Sequence, residues 1–298
     1  MRYVVILVIC LSFSQVAIAA DKTSKSKKQK EITIVSKLPT QPSETPITTK
    51  IEKPIPEPWK PVAFDDRVER LSEGYKGLNP IEFHKMFKEK TSGLKKGEYE
   101  TTEEYNKRTA NKNNLLAPIS TNELYAFQIR GITFQYNADT QIYNVIWYSA
   151  QESDKNSVTC FVETIYRKED SYIGSNAFGA TLNINKTEGL KFSLSLSKKS
   201  SFVKEMFDPP AGILGQKYRG NFTIPLDKAR QLKDKTVGVL YVGNVTDVKL
   251  IKGKGIYSEP TYDHPTKIEI EEDAVPFDVK KIVYYVVQTG EILYQKSF

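Results

Sequence analysis

The chain of 298 residues holds only two cysteines, two histidines and two tryptophans, and each scarcity excludes something. Cys10 lies inside an N-terminal apolar run. If that run is removed, Cys160 stands alone and no intramolecular disulfide can form. Cys160 sits in the strand-like run Ser157–Tyr166 with Val158 and Val162 on its side, and reads as a small buried apolar residue rather than a reactive thiol. A chain of this length builds a sufficient core without covalent staples.

The two histidines, His84 and His264, have no second His, Cys or carboxylate at ligand spacing. A zinc site takes three or four such ligands, so no metal site is expected. No G-x-S-x-G elbow occurs, and Gly174-Ser175-Asn176 does not match one. A Gly-rich phosphate loop is also missing. Gly253 and Gly255 in Lys252–Ile256 read as a turn. Two S-x-x-K matches exist. Ser195–Lys198 lies in an alternating strand that points the two side chains to opposite faces. Ser201–Lys204 can start a short helix, but no S-x-N or K-T-G follows it. The expectation is therefore no complete catalytic constellation and no cofactor.

Long apolar runs are scarce too. The longest, Val4–Phe13, follows Arg2 and precedes Ala17-Ile18-Ala19. A positive start, a short apolar run and an A-x-A site make a secretory signal over residues 1–20. The run is shorter than the roughly 20 residues of a membrane span. Export, with the mature protein periplasmic or extracellular and without a transmembrane span, follows as an expectation. Ile9 stands where a lipobox needs a small residue, so no lipid anchor is expected at Cys10.

What is present begins with charge. The formal net charge is +7. Residues 21–60 hold nine Lys against five Asp or Glu, and 61–298 carry only +2. The body is close to neutral, and no nucleic-acid partner is expected. Residues 21–60, rich in Lys, Pro, Thr and Ser, read as a disordered arm that cannot bury enough apolar surface to offset its ordering entropy. That arm is a solvated spacer or a contact to anionic envelope polymers.

Residues 61–298 read as one ordered α+β region. A short helical N-terminal part, 65–117, precedes a mainly antiparallel, β-rich body over 120–298. Asn79 is an N-cap with Pro80 at the first helical position, and Phe83, Met86 and Phe87 share a face. Thr101 and Glu104 have capping-box spacing, and Glu104–Arg108 is an i,i+4 ion pair. From Glu123 the apolar period becomes two. Expected strands include 132–137, 157–167, 217–224, 236–242, 246–252, 266–271, 279–287 and 292–296, with a short helix over 225–233 and a turn at Gln288–Glu291. Residues 180–184 and 190–196 read as a hairpin around an Asn185–Gly189 loop.

Tyrosine is in excess, at seventeen residues. The segments Tyr172–Gly179, Tyr262–Pro265 and Glu98–Glu104 break the strand pattern with polar and aromatic residues. Tyr172, Asn176, Tyr262, Asp263 and His264 are the candidate binding residues, although turn and cap chemistry also accounts for these segments.

The run Lys96–Arg108 (KGEYETTEEYNKR) resembles a K-G-E-[FY]-E-T-T-x-E-Y-x-x-R run of exported bacterial proteins and lipoproteins of unknown function. The likeness continues through GSNAFGA (174–180), IPLDKARQL (224–232), VGVLYVG (237–243), PTYDHP (260–265) and QTGEIL (288–293). It implies a bacterial envelope location and no particular reaction. The sequence as a whole favours a non-enzymatic binding or assembly module meeting an envelope protein or cell-wall component. The alternatives are an envelope hydrolase or transferase built on Asp263/His264 or Ser201/Lys204, and a structural body with a cationic arm.

Overall fold

The computed structural model describes residues 58–298, except 153–155, 176–177, 208–215, 234 and 254; for 147–152 and 216–219 it describes the backbone only. The expected export signal, most of the Lys-rich arm and the candidate residue Asn176 lie outside the described residues. Residues Pro56–Phe298 form one compact unit. The arm was expected to run to residue 60, but Trp59 already packs against the core.

Helices open the unit, and their ends follow local chemistry. α1 (Pro80–Thr91) starts at Asn79, whose side chain accepts from the Ile81 and Glu82 amides, with Pro80 inside the first turn. It buries Phe83, His84 and Phe87. α2 (Thr102–Thr109) starts on a complete capping box between Thr101 and Glu104. α3 (Lys112–Leu116) buries Leu116. Residues 65–79, expected as helical, form turns and bridges instead. Arg70 bridges to Glu291 and Gly77 to Phe127.

Among the described residues eleven strands follow in one sheet: β1 (Tyr125–Ile129), β2 (Thr133–Asn137), β3 (Ile142–Glu152), β4 (Ser157–Ser175), β5 (Thr181–Ser197), β6 (Gln216–Thr223), β7 (Val237–Val245), β8 (Ile251–Lys252), β9 (Ile256–Ser258), β10 (Thr266–Val286) and β11 (Ile292–Ser297). Two short helices interrupt them, α4 (Ser201–Met206) and α5 (Leu226–Gln231). The strand order is β1-β7-β10-β5-β4-β3-β2, with β11, β8 and β9 also on β10 and β6 on β3. The body is mainly antiparallel. One pair is parallel, β10 with β5, from Thr266↔Asn185 to Phe277↔Leu196. A parallel pair needs a long crossover, and the chain supplies one through α4, β6, α5 and β7.

Four expectations about strand limits are corrected. Residues 180–184 and 190–196 are not a hairpin, because β5 runs unbroken through Asn185–Gly189 and pairs with β4. Those residues are polar but only Asn185 is exposed; the stretch is held extended between β4 and β10, and Lys186 pairs with Glu188 and Glu269 rather than marking a turn. β4 likewise continues past residue 167 to Ser175. Residues 266–271 and 279–287 belong to one strand, β10. The acidic run Glu269–Asp273 hides its continuity, and lysines match it: Lys186 and Lys267 at Glu269, Lys252 at Glu271 and Asp273. Of 246–252 only Ile251–Lys252 is strand.

The centre of the sheet is buried on both faces. On one face Val239, Tyr241, Ile282 and Tyr284 join Phe83, Phe87 and Leu116 in the main core. On the other, Leu240, Val242, Val283 and Tyr285 pack under Leu71, Phe64 and Tyr75. Period-two alternation with apolar side chains on both faces is the pattern of a covered strand. Each fully buried Phe or Leu side chain contributes about 2 kcal/mol. The N-terminal segment is tied down at Gly290, whose φ is +69° and whose α-carbon faces the Leu71 carbonyl so closely that a Cβ would stand 1.9 Å from it.

Candidate functional site

β4 and β5 form a hairpin whose outer half leaves the body. On one side β4 pairs with β5 from Ser157↔Ser197 to Ser175↔Thr181. On its other side β3 follows β4 only over Val158–Cys160. Residues 166–173 of β4 are exposed. The inner half is buried, with Val158, Cys160, Val162, Phe192 and Leu194 in the core. The same two strands therefore anchor in the body at one end and project at the other.

The outer half gathers the apolar side chains that the fold leaves in water. Tyr166, Tyr172, Ile173 and Phe178 lie on it and Tyr262 in the loop before β10, while Ile256 and Tyr257 are on β9, across β10 from β5. Phe178 is 95% exposed, Tyr262 82% and Ile173 78%. Among the described residues, the other large exposed hydrophobics are Val62, Ile81, Tyr99 and Tyr294, scattered over the body. Isolated exposed apolar residues are ordinary, whereas a concentration of them marks contact surface.

The loop 259–265 is stitched to this hairpin. The Asn185 amide donates to the Pro265 carbonyl at 2.9 Å, and Asn185 is the β5 partner of Ser171. Within the loop, the Thr261 amide donates to the His264 carbonyl at 3.0 Å, and the His264 amide to Thr261 Oγ1 at 3.1 Å. Tyr172 and the segment Tyr262-Asp263-His264 thus reach the same end of the molecule from positions ninety residues apart in sequence. Asp263 and His264 are exposed, as members of a turn. Lysines and carboxylates surround the junction: Lys186 meets Glu188 and Glu269, and Lys267 meets Glu269 at 2.9 Å. Hydrogen bonds donated by Lys186 to Glu188 and Glu269 push its pKa up, so it stays charged. The result is an aromatic and aliphatic tip rimmed by balanced charge.

The alternative chemical sites separate clearly in space. Ser200 caps α4, with its side chain accepting from the Val203 amide. Ser201 and Lys204 are both exposed on that helix, and no base or oxyanion donor converges on Ser201 among the described residues. Cys160 is fully buried, and burial pushes its thiol pKa up. Among the described residues no group of three or more His, Cys, Asp and Glu is placed to hold a metal ion. An open groove of about 550 Å³ runs along Trp59–Asn79. It is lined by the segment that seals the second core, with Phe64, Val68, Leu71 and Tyr75 along it.

Sequence reading missed one buried junction. Asp273 on β10 is fully buried and accepts from His84 Nε2 of α1 at 2.9 Å. Lys252 Nζ of β8 lies 2.6 Å from Asp273 Oδ1, although no well-aligned hydrogen bond reaches that oxygen. Burial works to raise the Asp273 pKa, but the His84 and Lys252 contacts outweigh it and hold it at about 2. The neighbouring Glu272 points the other way along the strand. Ser193 donates to its Oε1 and Thr159 to its Oε2 at 3.3 Å, while burial raises its pKa. The His84–Asp273 contact fastens α1 to the sheet, with Lys88 of the same helix 3.7 Å from Asp273. The signal was present as consecutive acids in an otherwise apolar strand, but their partners lie far away in sequence.

No protein-family model matches the chain, and no curated protein or solved structure is significantly similar to it. The likeness to exported bacterial proteins rests on its motifs alone, and most of their described residues serve the fold. Arg108 grips Glu100 at 2.8 Å and 2.9 Å and the carbonyls of Gly93 and Lys95. It does not pair with Glu104, which is committed to Thr101. Glu291 of QTGEIL meets Lys228 of IPLDKARQL. No helix among the described residues is long and apolar enough to cross a membrane.

Proposed function

We propose that this chain is an exported bacterial envelope protein that acts as a non-enzymatic binding or assembly module, with the outer half of the β4–β5 hairpin as its contact element. The observation that carries the reading is the concentration of exposed Tyr166, Tyr172, Ile173 and Phe178 on that projection, with Tyr262 in the loop stitched to it, against a body whose core is closed. Aromatic side chains bury large areas at low entropy cost and anchor interfaces. The charged rim is balanced, which suits a protein partner better than a polyanion. The N-terminal signal pattern supports export, and the motif likeness supports the envelope.

A shortened hairpin tests this. Residues 173–183 are replaced by Asn-Gly, which joins the paired positions 172 and 184 through a two-residue turn, and Tyr166 and Tyr172, which stay on the shortened strand, are changed to Asp. The body keeps its core, so the thermal midpoint should change little. On a sucrose gradient of gently solubilised envelope, the intact chain should migrate in an assembly larger than itself and the shortened chain as free protein. Intact chain that migrates free, or shortened chain that keeps the full-size assembly, removes the reading.

A further inference from the structure

We infer that the outer edge of β4 pairs with the same edge of a second copy of this chain, antiparallel and about a two-fold axis at Glu169. The inference rests on the hairpin being the contact element and names its partner. From Thr164 to Ser175 no described strand hydrogen-bonds the side of β4 away from β5. A long strand edge with open amides and carbonyls is a template for another strand.

The backbone shows which residues face the open side. Amide and carbonyl of one strand residue point the same way, and the direction alternates along the chain. The Ser171 amide donates to Asp170 Oδ1 at 2.8 Å, so it is not engaged with β5. Arg167, Glu169, Ser171 and Ile173 therefore turn their backbone groups outward. Tyr166, Lys168, Asp170 and Tyr172 turn theirs to β5. Nearer the body the Thr164 amide donates to Glu163 Oε1 at 3.0 Å, and the register shift between Thr164 and Tyr166 accounts for the change from even to odd. In an antiparallel pair, outward residues must oppose outward residues. A two-fold axis can then fall on a residue but not between two, and an axis at Lys168 or Asp170 would set two like charges face to face at the closely spaced positions.

Side chains select Glu169 among these. An axis there places Lys168 opposite Asp170 of the second copy, twice by symmetry, and Tyr166 opposite Tyr172, also twice. These are the closely spaced, non-hydrogen-bonded positions where cross-strand pairs interact most. On the other face Arg167 opposes Ser171, and each Arg167 lies diagonal to a Glu169, so the central Glu169 pair is flanked by two guanidinium groups. An axis at Arg167 would set Lys168 against Tyr166. An axis at Ser171 would set Asp170 against Tyr172 and Glu169 against Ile173. Within one chain the pairs Arg167–Glu169 at 2.9 Å and Lys168–Asp170 at 3.5 Å hold the four charges in the geometry that a second copy completes. An isologous contact of this kind closes on itself and stops at two chains.

Light scattering on the purified protein, with circular dichroism as the control for folding, tests the pairing. The unaltered protein should weigh twice one chain at about 100 µM. Ser171→Pro removes an outward amide that β5 does not use, and proline is tolerated on an edge. Ser171→Pro and Lys168→Asp should each weaken association at least about tenfold. The double reversal Lys168→Asp/Asp170→Lys should restore it, because the opposed charges again differ in sign. A protein that is monomeric throughout overturns the inference. So does a dimer indifferent to Ser171→Pro or to single reversal, or one that the double reversal fails to rescue. A monomer whose shortened-hairpin variant still leaves its envelope assembly would overturn this partner and keep the contact element.

Discussion

Glu272 and Asp273 are neighbours on β10 and lie at opposite extremes of carboxylate behaviour. Asp273 is held charged by His84 and Lys252, with its pKa at about 2 against an ordinary 3.8. A depressed folded value means its contribution to stability is complete above pH 4 and is lost as pH falls from about 4 toward 2. Asp273→Asn should cost about 2 kcal/mol at neutral pH, less than the roughly 3–5 kcal/mol of a broken buried pair because Lys252 can turn to water. Denaturant midpoints of the variant and the parent should converge as pH drops through that window. Glu272 has the opposite sign. Its folded pKa is raised by burial, so what it adds is present below the ordinary value near 4.5 and is lost as pH rises. Glu272→Gln should therefore equal or exceed the parent at pH 7 and lose that advantage near pH 4. A Gln variant that is less stable at pH 7 would mean the Ser193 and Thr159 bonds need the charge. Cys160 should stay unreactive toward a thiol reagent in the folded protein and react stoichiometrically in denaturant; prompt reaction of native protein would contradict its burial.

At the scale of elements, local signals were the readable ones. Asn79, Pro80, Thr101 and Glu104 mark helix starts through bonds within three residues, and these were legible. So was the QTGE turn, where Gly290 supplies a positive φ. The long strands were read too short because strand length is fixed by partners rather than by local pattern. β5 carries Asn185-Lys186-Thr187-Glu188 without turning, since Ser171–Lys168 on one side and β10 on the other hold it extended. The Glu104–Arg108 pair was expected from spacing alone, and a better acceptor eight residues away, Glu100, took the guanidinium. Thr101→Ala should lower stability by about 1 kcal/mol through loss of the cap. Gly290→Ala should cost more, about 2 kcal/mol, because it combines left-handed backbone strain with a clash against the Leu71 carbonyl. Thermal melts of the two variants check the order; a Gly290→Ala protein as stable as Thr101→Ala would mean that the Leu71 segment yields easily.

For the whole molecule, burial divides the sheet into a rigid centre and a projecting edge. β7 and the second half of β10 are covered on both faces, while residues 166–173 of β4 are exposed. Hydrogen exchange should be slowest at Val239–Val242 and Ile282–Tyr285, and fast along the outer hairpin. Addition of the partner should slow the outer hairpin selectively. The candidate residues Tyr172, Tyr262, Asp263 and His264 were legible as interruptions of the strand pattern. Their shared location was not, because it depends on the parallel pairing of β10 with β5. Site-specific photocrosslinking inside cells bears most directly on the hairpin as contact element, with a photoreactive phenylalanine placed in turn at Phe178, Tyr262 and Tyr99. Tyr99 is as exposed as Phe178 but lies before α2, away from the hairpin. Discrete adducts at 178 and 262 with none at 99 are the expected result; no adduct at 178 and 262, or equal adducts at all three, would contradict it.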